Sequence, residues 1–522
     1  VPRRRSVRAP GAIVLGVVGA LVLAGCAVGP SNRPAVAHDG ASQGGPVAPP
    51  ATSAARVPIP PLTEPRESSL SFSDCTDTVN RKLGGPNGLK VGCARLNTVL
   101  DSPTRPNRGV ARVALTKVGE GKHPLVVLND ALGEPGSLYA VRLAAQLPKE
   151  ILDVYHLIGV DRRGTGDSDG VRCVNQVSRA AMVGFDPQAT DAASLGELLD
   201  TTRDAAQECM LDLDEQLGAY DTWRTAADLN LLREALGVPK VNVVARGDAS
   251  RVLTAFAERF PSGVGRFVLD GAPDPTVDAV GQAEARAAGA KDTFAAFAAD
   301  CATRGCPLGN PEQAVRELLD RLRAQETRGT KLTFQAGTAL RAVVAGLSDR
   351  PRWPDLADAI AKGRDGDLTA LESFLLPLWT GPDRDMVRLD GGLVTTCNDT
   401  TTRIDPARAA GLADEWAKKY PLFGAMSAQE LAWCMPWPVP AQPLPTPRAP
   451  EAPPMLVLGT EKDAVTPMPG TTKTAEALSS AVQVNWQGAG HGAFARSACV
   501  NDASKLFLVD GKAPTNGTVC PP

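Results

Sequence analysis

Val241-Asn242-Val243-Val244-Ala245-Arg246-Gly247-Asp248-Ala249-Ser250-Arg251-Val252-Leu253-Thr254-Ala255-Phe256 changes period within a few residues. The valines suit a strand covered on both faces. Val252, Ala255, Phe256 and Phe260 then recur at i, i+3, i+4 and i+8, the stripe of a helix that Pro261 stops. The alternation continues on either side. Residues 125–129, 154–161, 267–270, 455–459 and 482–486 read as further strands. Residues 137–147 and 225–236 read as helices, the second opened by a Thr225-x-x-Asp228 capping box and closed by Gly237. Strand then helix, repeated, predicts an α/β protein with a doubly wound, mainly parallel sheet. Between residue 274 and about residue 450 strand-like runs cease, and Ala-rich helical stretches such as 277–301 and 311–323 follow one another. The expected organisation is a core in two parts, 71–273 and 451–522, with a helical cap, 274–450, inserted between them.

The residues before the core read as an address and a tether. Arg3, Arg4, Arg5 and Arg8 precede an apolar stretch from residue 12 to 25. As a helix it reaches only ~21 Å, short of the ~30 Å hydrocarbon core, so it reads as an export signal (1–25) and not a span. Leu23-Ala24-Gly25-Cys26 resembles a bacterial lipobox, which implies lipidation of Cys26 and an extracytoplasmic protein, membrane-anchored or secreted. Residues 26–70 are rich in Pro, Ala, Ser and Gly and bury too little apolar surface to offset their ordering entropy, as in a tether. The 522 residues are 43% hydrophobic and 22% charged with a formal charge of −3, and the four signal arginines make the remainder more acidic. That composition is globular and lacks the basic excess of a nucleic-acid binder.

Beyond these patterns the chain resembles a known family. Gly159-Val160-Asp161-Arg162-Arg163-Gly164-Thr165-Gly166-Asp167-Ser168, residues 225–237, Leu269-Asp270-Gly271-Ala272-Pro273-Asp274-Pro275, Cys306-Pro307-Leu308-Gly309 and residues 454–520 are similar to segments of secreted tripeptidyl-aminopeptidase-like α/β hydrolases. The resemblance implies a triad in the chain order nucleophile, acid, histidine. Asp463, just past a strand, takes the acid position, and His491, flanked by glycines after the last strand, takes the histidine position. The nucleophile elbow needs small residues two before and two after its tip. Ala245 and Ala249 meet that rule and put Gly247 where the family has serine. The nucleophile position is therefore vacant, although glycine suits the strained backbone of the turn.

Three substitutes follow from the residues. Asp248 as a carboxylate nucleophile would put Arg246 and Ser250 in the small flanking positions, which disfavours it. Ser250 lies three residues past the tip, within possible reach of His491, though a helix-start serine more often bonds nearby backbone. A water held above Gly247 and activated by His491 and Asp463 is the third. The matching oxyanion loop, Asn129-Asp130-Ala131-Leu132-Gly133-Glu134-Pro135-Gly136, lacks most of the family's glycines and brings Asp130 and Glu134 toward a place meant for an anion. Backbone donors there would come from Asn129, Asp130, Ala131 and Asp248. Arg246-Gly247-Asp248 also spells an adhesion tripeptide, a match too short to carry weight at a turn beneath a cap.

Besides Cys26 the chain holds Cys75, Cys93, Cys173, Cys209, Cys301, Cys306, Cys397, Cys434, Cys499 and Cys520, without the repeated spacing of a metal site. Structural disulfides are expected, and the resemblance implies pairing of sequence neighbours. The expected function is binding of a peptide- or acyl-type ligand, or service to a protein partner, with no cofactor or metal and without ordinary serine turnover. The alternative is an exopeptidase or esterase working through Ser250 or activated water.

Overall fold

The computed structural model describes residues 57–380, 388–440 and 442–522. The export signal, Cys26 and the first part of the tether lie outside the described residues. In chain order the strands are β1 (Ser73–Asp74), β2 (Val91–Val99), β3 (Val110–Val118), β4 (His123–Leu128), β5 (Tyr155–Val160), β6 (Val241–Arg246), β7 (Val264–Asp270), β8 (Thr327–Arg328), β9 (Thr333–Phe334), β10 (Met455–Lys462), β11 (Ala481–Ala489) and β12 (Thr518–Cys520). Ten of them form one sheet in the order β1-β2-β3-β5-β4-β6-β7-β10-β11-β12. Pairings from β1 through β5 along that order are antiparallel, and those from β5 to β12 are parallel.

The continuous apolar runs are explained by burial of both sheet faces. Leu125 and Val127 join one core layer with Tyr155, Val244, Leu456 and Phe507, while Val126 and Leu128 join the other with Val243, Phe256 and Phe267. Alternate residues of one strand thus feed opposite layers. The antiparallel β1, β2 and β3 were not foreseen. In β3, exposed Val110 and Arg112 alternate with buried Ala111 and Val113 at its start, so no unbroken apolar run marks it.

Four expectations need correction. The helix expected from Thr225 runs over Thr222–Ala235 and is capped by Asp221, which accepts from the Arg224 N–H; Thr225 is internal and donates its hydroxyl to the Asp221 carbonyl. The cap is not free of strands, because β8 and β9 form a short antiparallel pair within it. Nor does the cap come only from the segment after β7. Helices Gln176–Gly184 and Ala192–Leu213, which precede β6, share its apolar core with Phe297, Leu340, Trp353 and Leu393. A buried Arg179–Asp390 ion pair, at 2.8 Å, locks the two parts together. Finally, the end of the tether is bound to the domain: Arg66 and Ser69 N–H groups donate to the Gly237 and Ala235 carbonyls, Ile59 and Leu62 pack on a core layer, and Arg266 donates to the Pro60 carbonyl.

The disulfides are Cys75–Cys93, Cys173–Cys209, Cys301–Cys306, Cys397–Cys434 and Cys499–Cys520, sequence neighbours throughout. They suit an oxidising, extracytoplasmic environment. Among the described residues no helix is long and apolar enough to cross a membrane.

Candidate active site

Parallel strands bring residues far apart in sequence to one edge. Asp130 follows β4, Gly247 follows β6, Asp463 follows β10 and His491 follows β11, all at the carboxyl ends of their strands, where open α/β sheets bind ligands. The chain turns sharply after β6. Gly247 has φ +63°, a tight helical turn spans Gly247–Ala249, and helix Ser250–Arg259 continues from it. Ala245 and Ala249 are fully buried on the two sides of the bend.

Asp463 and His491 meet. The Nδ1 of His491 lies 3.0 Å from Oδ2 of Asp463, whose Oδ1 accepts from the Val465 and Thr466 N–H groups. The Gly492 N–H donates to the same Oδ2, and the cap adds a tie, because the His491 N–H donates to the Ser348 carbonyl. Asp270, at the end of β7, accepts from the Ala493 and Phe494 N–H groups and so holds the loop carrying the imidazole.

The other imidazole nitrogen faces a carboxylate from the loop expected to bind an oxyanion. Nε2 of His491 lies 2.8 Å from Oδ2 of Asp130, and Oδ1 of the same carboxylate accepts from the Asp248 N–H at 2.8 Å. A Cβ built on Gly247 would stand 1.9 Å from that Oδ1. The space a serine would need is filled by Asp130. Asp130 takes the position above Gly247, and the ring nitrogen that would activate a water there is bonded to its carboxylate.

Two of the four expected oxyanion donors are occupied. The Asp248 N–H serves Asp130, and the Ala131 N–H donates to Oδ1 of Asp248. The Asp248 carboxylate is further held by Arg162, itself bonded to Thr222. Asn129 turns its side chain, not its backbone, to the task, accepting from Arg246 Nε and donating to the Glu134 carbonyl. Glu134 pairs with Arg142. Ser250 does not reach the imidazole: 1% exposed, its hydroxyl donates to the Gly271 carbonyl at 2.5 Å and contacts that of Ala245. It is the helix-start serine bonded to backbone, so the expected substitute nucleophile is withdrawn.

Charge explains why this arrangement holds. Burial favours the neutral ring of His491, but the Asp463 and Asp130 carboxylates on its two nitrogens outweigh it and push the pKa up to about 10. At neutral pH the ring is an imidazolium donating to both. Burial would raise the Asp130 carboxyl; the imidazolium, with Arg246 and the Asp248 N–H, overrides it and holds the group well below the usual carboxylate range. Arg246 is stacked over the Tyr139 ring, 4.0 Å from Asp130. A protonated imidazole cannot take a proton, and a weakly basic carboxylate occupies both places where an acyl transition state would form. The signal for Asp130 was present in the sequence as two departures, a glycine at the tip and an acid in the facing loop; only their contact gives it meaning.

Above the site lies a cavity of about 870 Å³ between core and cap, walled by Asp130, Arg246, His491 and Arg251 below and by Phe374, Trp379 and Trp433 of the cap. Among the described residues no cluster of three or more potential ligands could hold a metal.

Comparison with known proteins agrees with this architecture. The family described as alpha/beta hydrolase fold matches residues 124–321, and that described as TAP-like protein matches residues 420–520. Serine protease Hip1 of Mycobacterium tuberculosis is 26% identical over 89% of this chain and 93% of its own length. Carboxylesterase B of the same organism is 27% identical over 82% and 86%. A tripeptidyl aminopeptidase of Streptomyces lividans is 25% identical over 70% and 71%.

Proposed function

Because the chain belongs to the TAP-like α/β hydrolases, with their fold and a retained Asp463–His491 pair, we propose that it is a ligand-binding member that has given up serine chemistry. It holds a peptide- or acyl-type ligand in the cavity between core and cap. The observation that carries this reading is the Asp130 carboxylate bridging the elbow N–H and the imidazole where the relatives' fold would hold an attacking hydroxyl. Loss of a triad nucleophile costs ~10⁶ in kcat, and the residual activity depends on an oxyanion hole. Here two of its expected N–H donors, those of Ala131 and Asp248, face carboxylates of the chain itself. Hydrolysis through Ser250, or through water at His491, lacks a free hydroxyl in the first case and a free ring nitrogen in the second. The Leu23-Ala24-Gly25-Cys26 lipobox and the five disulfides support display outside the cytoplasm, anchored by lipid at Cys26.

The test treats purified protein with a fluorophosphonate probe and with chromogenic ester and tripeptidyl anilide substrates. The expected result is no covalent labelling and no turnover above buffer. Turnover in the native protein that disappears in His491→Ala overturns the reading.

A further inference from the structure

Seven arginines line the large cavity, and six of them have a carboxylate of the chain within 4.0 Å. Arg142 has Glu134, Arg246 has Asp130, Arg286 and Arg341 share Glu430, Arg352 has Asp355 and Arg496 has Asp349. Arg251 is the exception among the described residues. It donates from Nη2 to the Gln282 side-chain oxygen at 2.6 Å and makes no ion pair. Gln282 is itself oriented by donating to the Asp274 carbonyl, so the guanidinium is held in place through Nη2 while the residue lines two cavities. The large cavity and a smaller one of about 180 Å³ are both walled by Arg251, Ala272, Gln282 and Asp399.

Burial depresses the Arg251 pKa, against the pull of two acids at longer range: Asp399, bonded to the Thr222 N–H and hydroxyl, and Asp248, paired with Arg162. A half-buried guanidinium outside any ion pair matches a carboxylate, and the pairing is strongest where water is scarce. The lining that the cap supplies includes an apolar set, Phe374, Leu378, Trp379, Leu393 and Trp433. A ligand complementary to both features has an anionic end and an apolar body. We propose that the cavity binds an apolar molecule ending in a carboxylate, an alkanoate or the C-terminus of an apolar peptide, with its head group on Arg251. This rests on the ligand-binding reading above and adds the ligand's chemistry and the residue that selects it.

Isothermal titration of the full chain with dodecanoate and dodecanol, and with trileucine and its C-terminal amide, tests the inference in native protein, Arg251→Gln and Arg251→Lys. The expected result is a preference for at least one acid over its neutral partner of tenfold or more, reduced to within threefold by Arg251→Gln and kept in part by Arg251→Lys. Affinity for the neutral partner should stay within threefold in all three proteins, which also reports intact folding. Preference in the alkanoate pair identifies a lipid-like acid; preference in the peptide pair alone identifies a peptide C-terminus. A preference that survives Arg251→Gln, equal binding of acid and neutral forms, or no binding of any probe overturns the proposal. Equal binding leaves the ligand-binding reading standing, whereas serine-type turnover would sink that reading by itself.

Discussion

Gly247→Ser places a hydroxyl on the elbow, and the geometry says it will not work alone. The new Cβ would lie 1.9 Å from Asp130 Oδ1 and 2.5 Å from its Cγ, so the carboxylate must leave. Leaving forfeits a charge-assisted bond, from the Asp248 N–H or to His491, worth ~1.5–3 kcal/mol. A non-glycine residue at φ +63° adds strain of ~1–3 kcal/mol. The single variant should therefore lose roughly 3–6 kcal/mol of stability in urea titration. In an Asp130→Gly background the collision disappears and the strain remains. A double-mutant cycle should then show a favourable coupling of ~1.5–3 kcal/mol between the two sites. Removing Asp130 also takes one of two carboxylates from the imidazole, so its pKa falls toward a value at which it can accept a proton. The double variant should hydrolyse a p-nitrophenyl ester at least ~10²-fold faster than native protein, the lower range of general-base assistance. Gly247→Ser as stable as native protein, a coupling within ~0.5 kcal/mol of zero, or equal hydrolysis by single and double variants would refute the reasoning.

Three further outcomes follow from the same contacts. The folded pKa of His491, raised to about 10, lies above its unfolded value near 6.5, so its contribution is complete below pH ~6.5 and is lost as pH rises toward 10; Asp130, held low, contributes above pH ~4 and loses that contribution on acidification. Denaturation midpoints at pH 6, 8 and 10 should fall in the native protein and fall less steeply in His491→Gln. Ser250→Ala removes a buried donor from the Gly271 carbonyl and should cost ~1–2 kcal/mol in thermal unfolding while leaving dodecanol affinity unchanged. Arg179→Met leaves Asp390 buried without its cation and should cost ~3–5 kcal/mol, with earlier proteolysis of the cap than of the sheet.

The legible part of the fold was the part buried on both faces. Strands such as Val241–Arg246 and Met455–Lys462 are apolar without interruption because two layers of side chains close over them, and that run is visible without coordinates. Strands β2 and β3 escaped because partial exposure breaks the run. Residues 176–213 fell inside the range expected for the core because chain order does not tell which layer a helix pair joins; the structure buries them against the cap. The Asp463–His491 pair was legible because strand order and spacing place both residues at strand ends, and the structure puts them 3.0 Å apart.

The sequence alone determined a doubly wound, mainly parallel core, a glycine at the tip of the elbow, and an acid and a histidine behind it. Those are properties of period, order and residue size, which are local. Only the tertiary structure decided that the tip is covered, because Asp130 and Gly247 are 117 positions apart and meet only where β4 and β6 lie side by side in the sheet. A one-dimensional reading registers the elbow glycine and the loop carboxylate as two separate features. Electrostatics acts through space, and in space they are one ion pair on one imidazole.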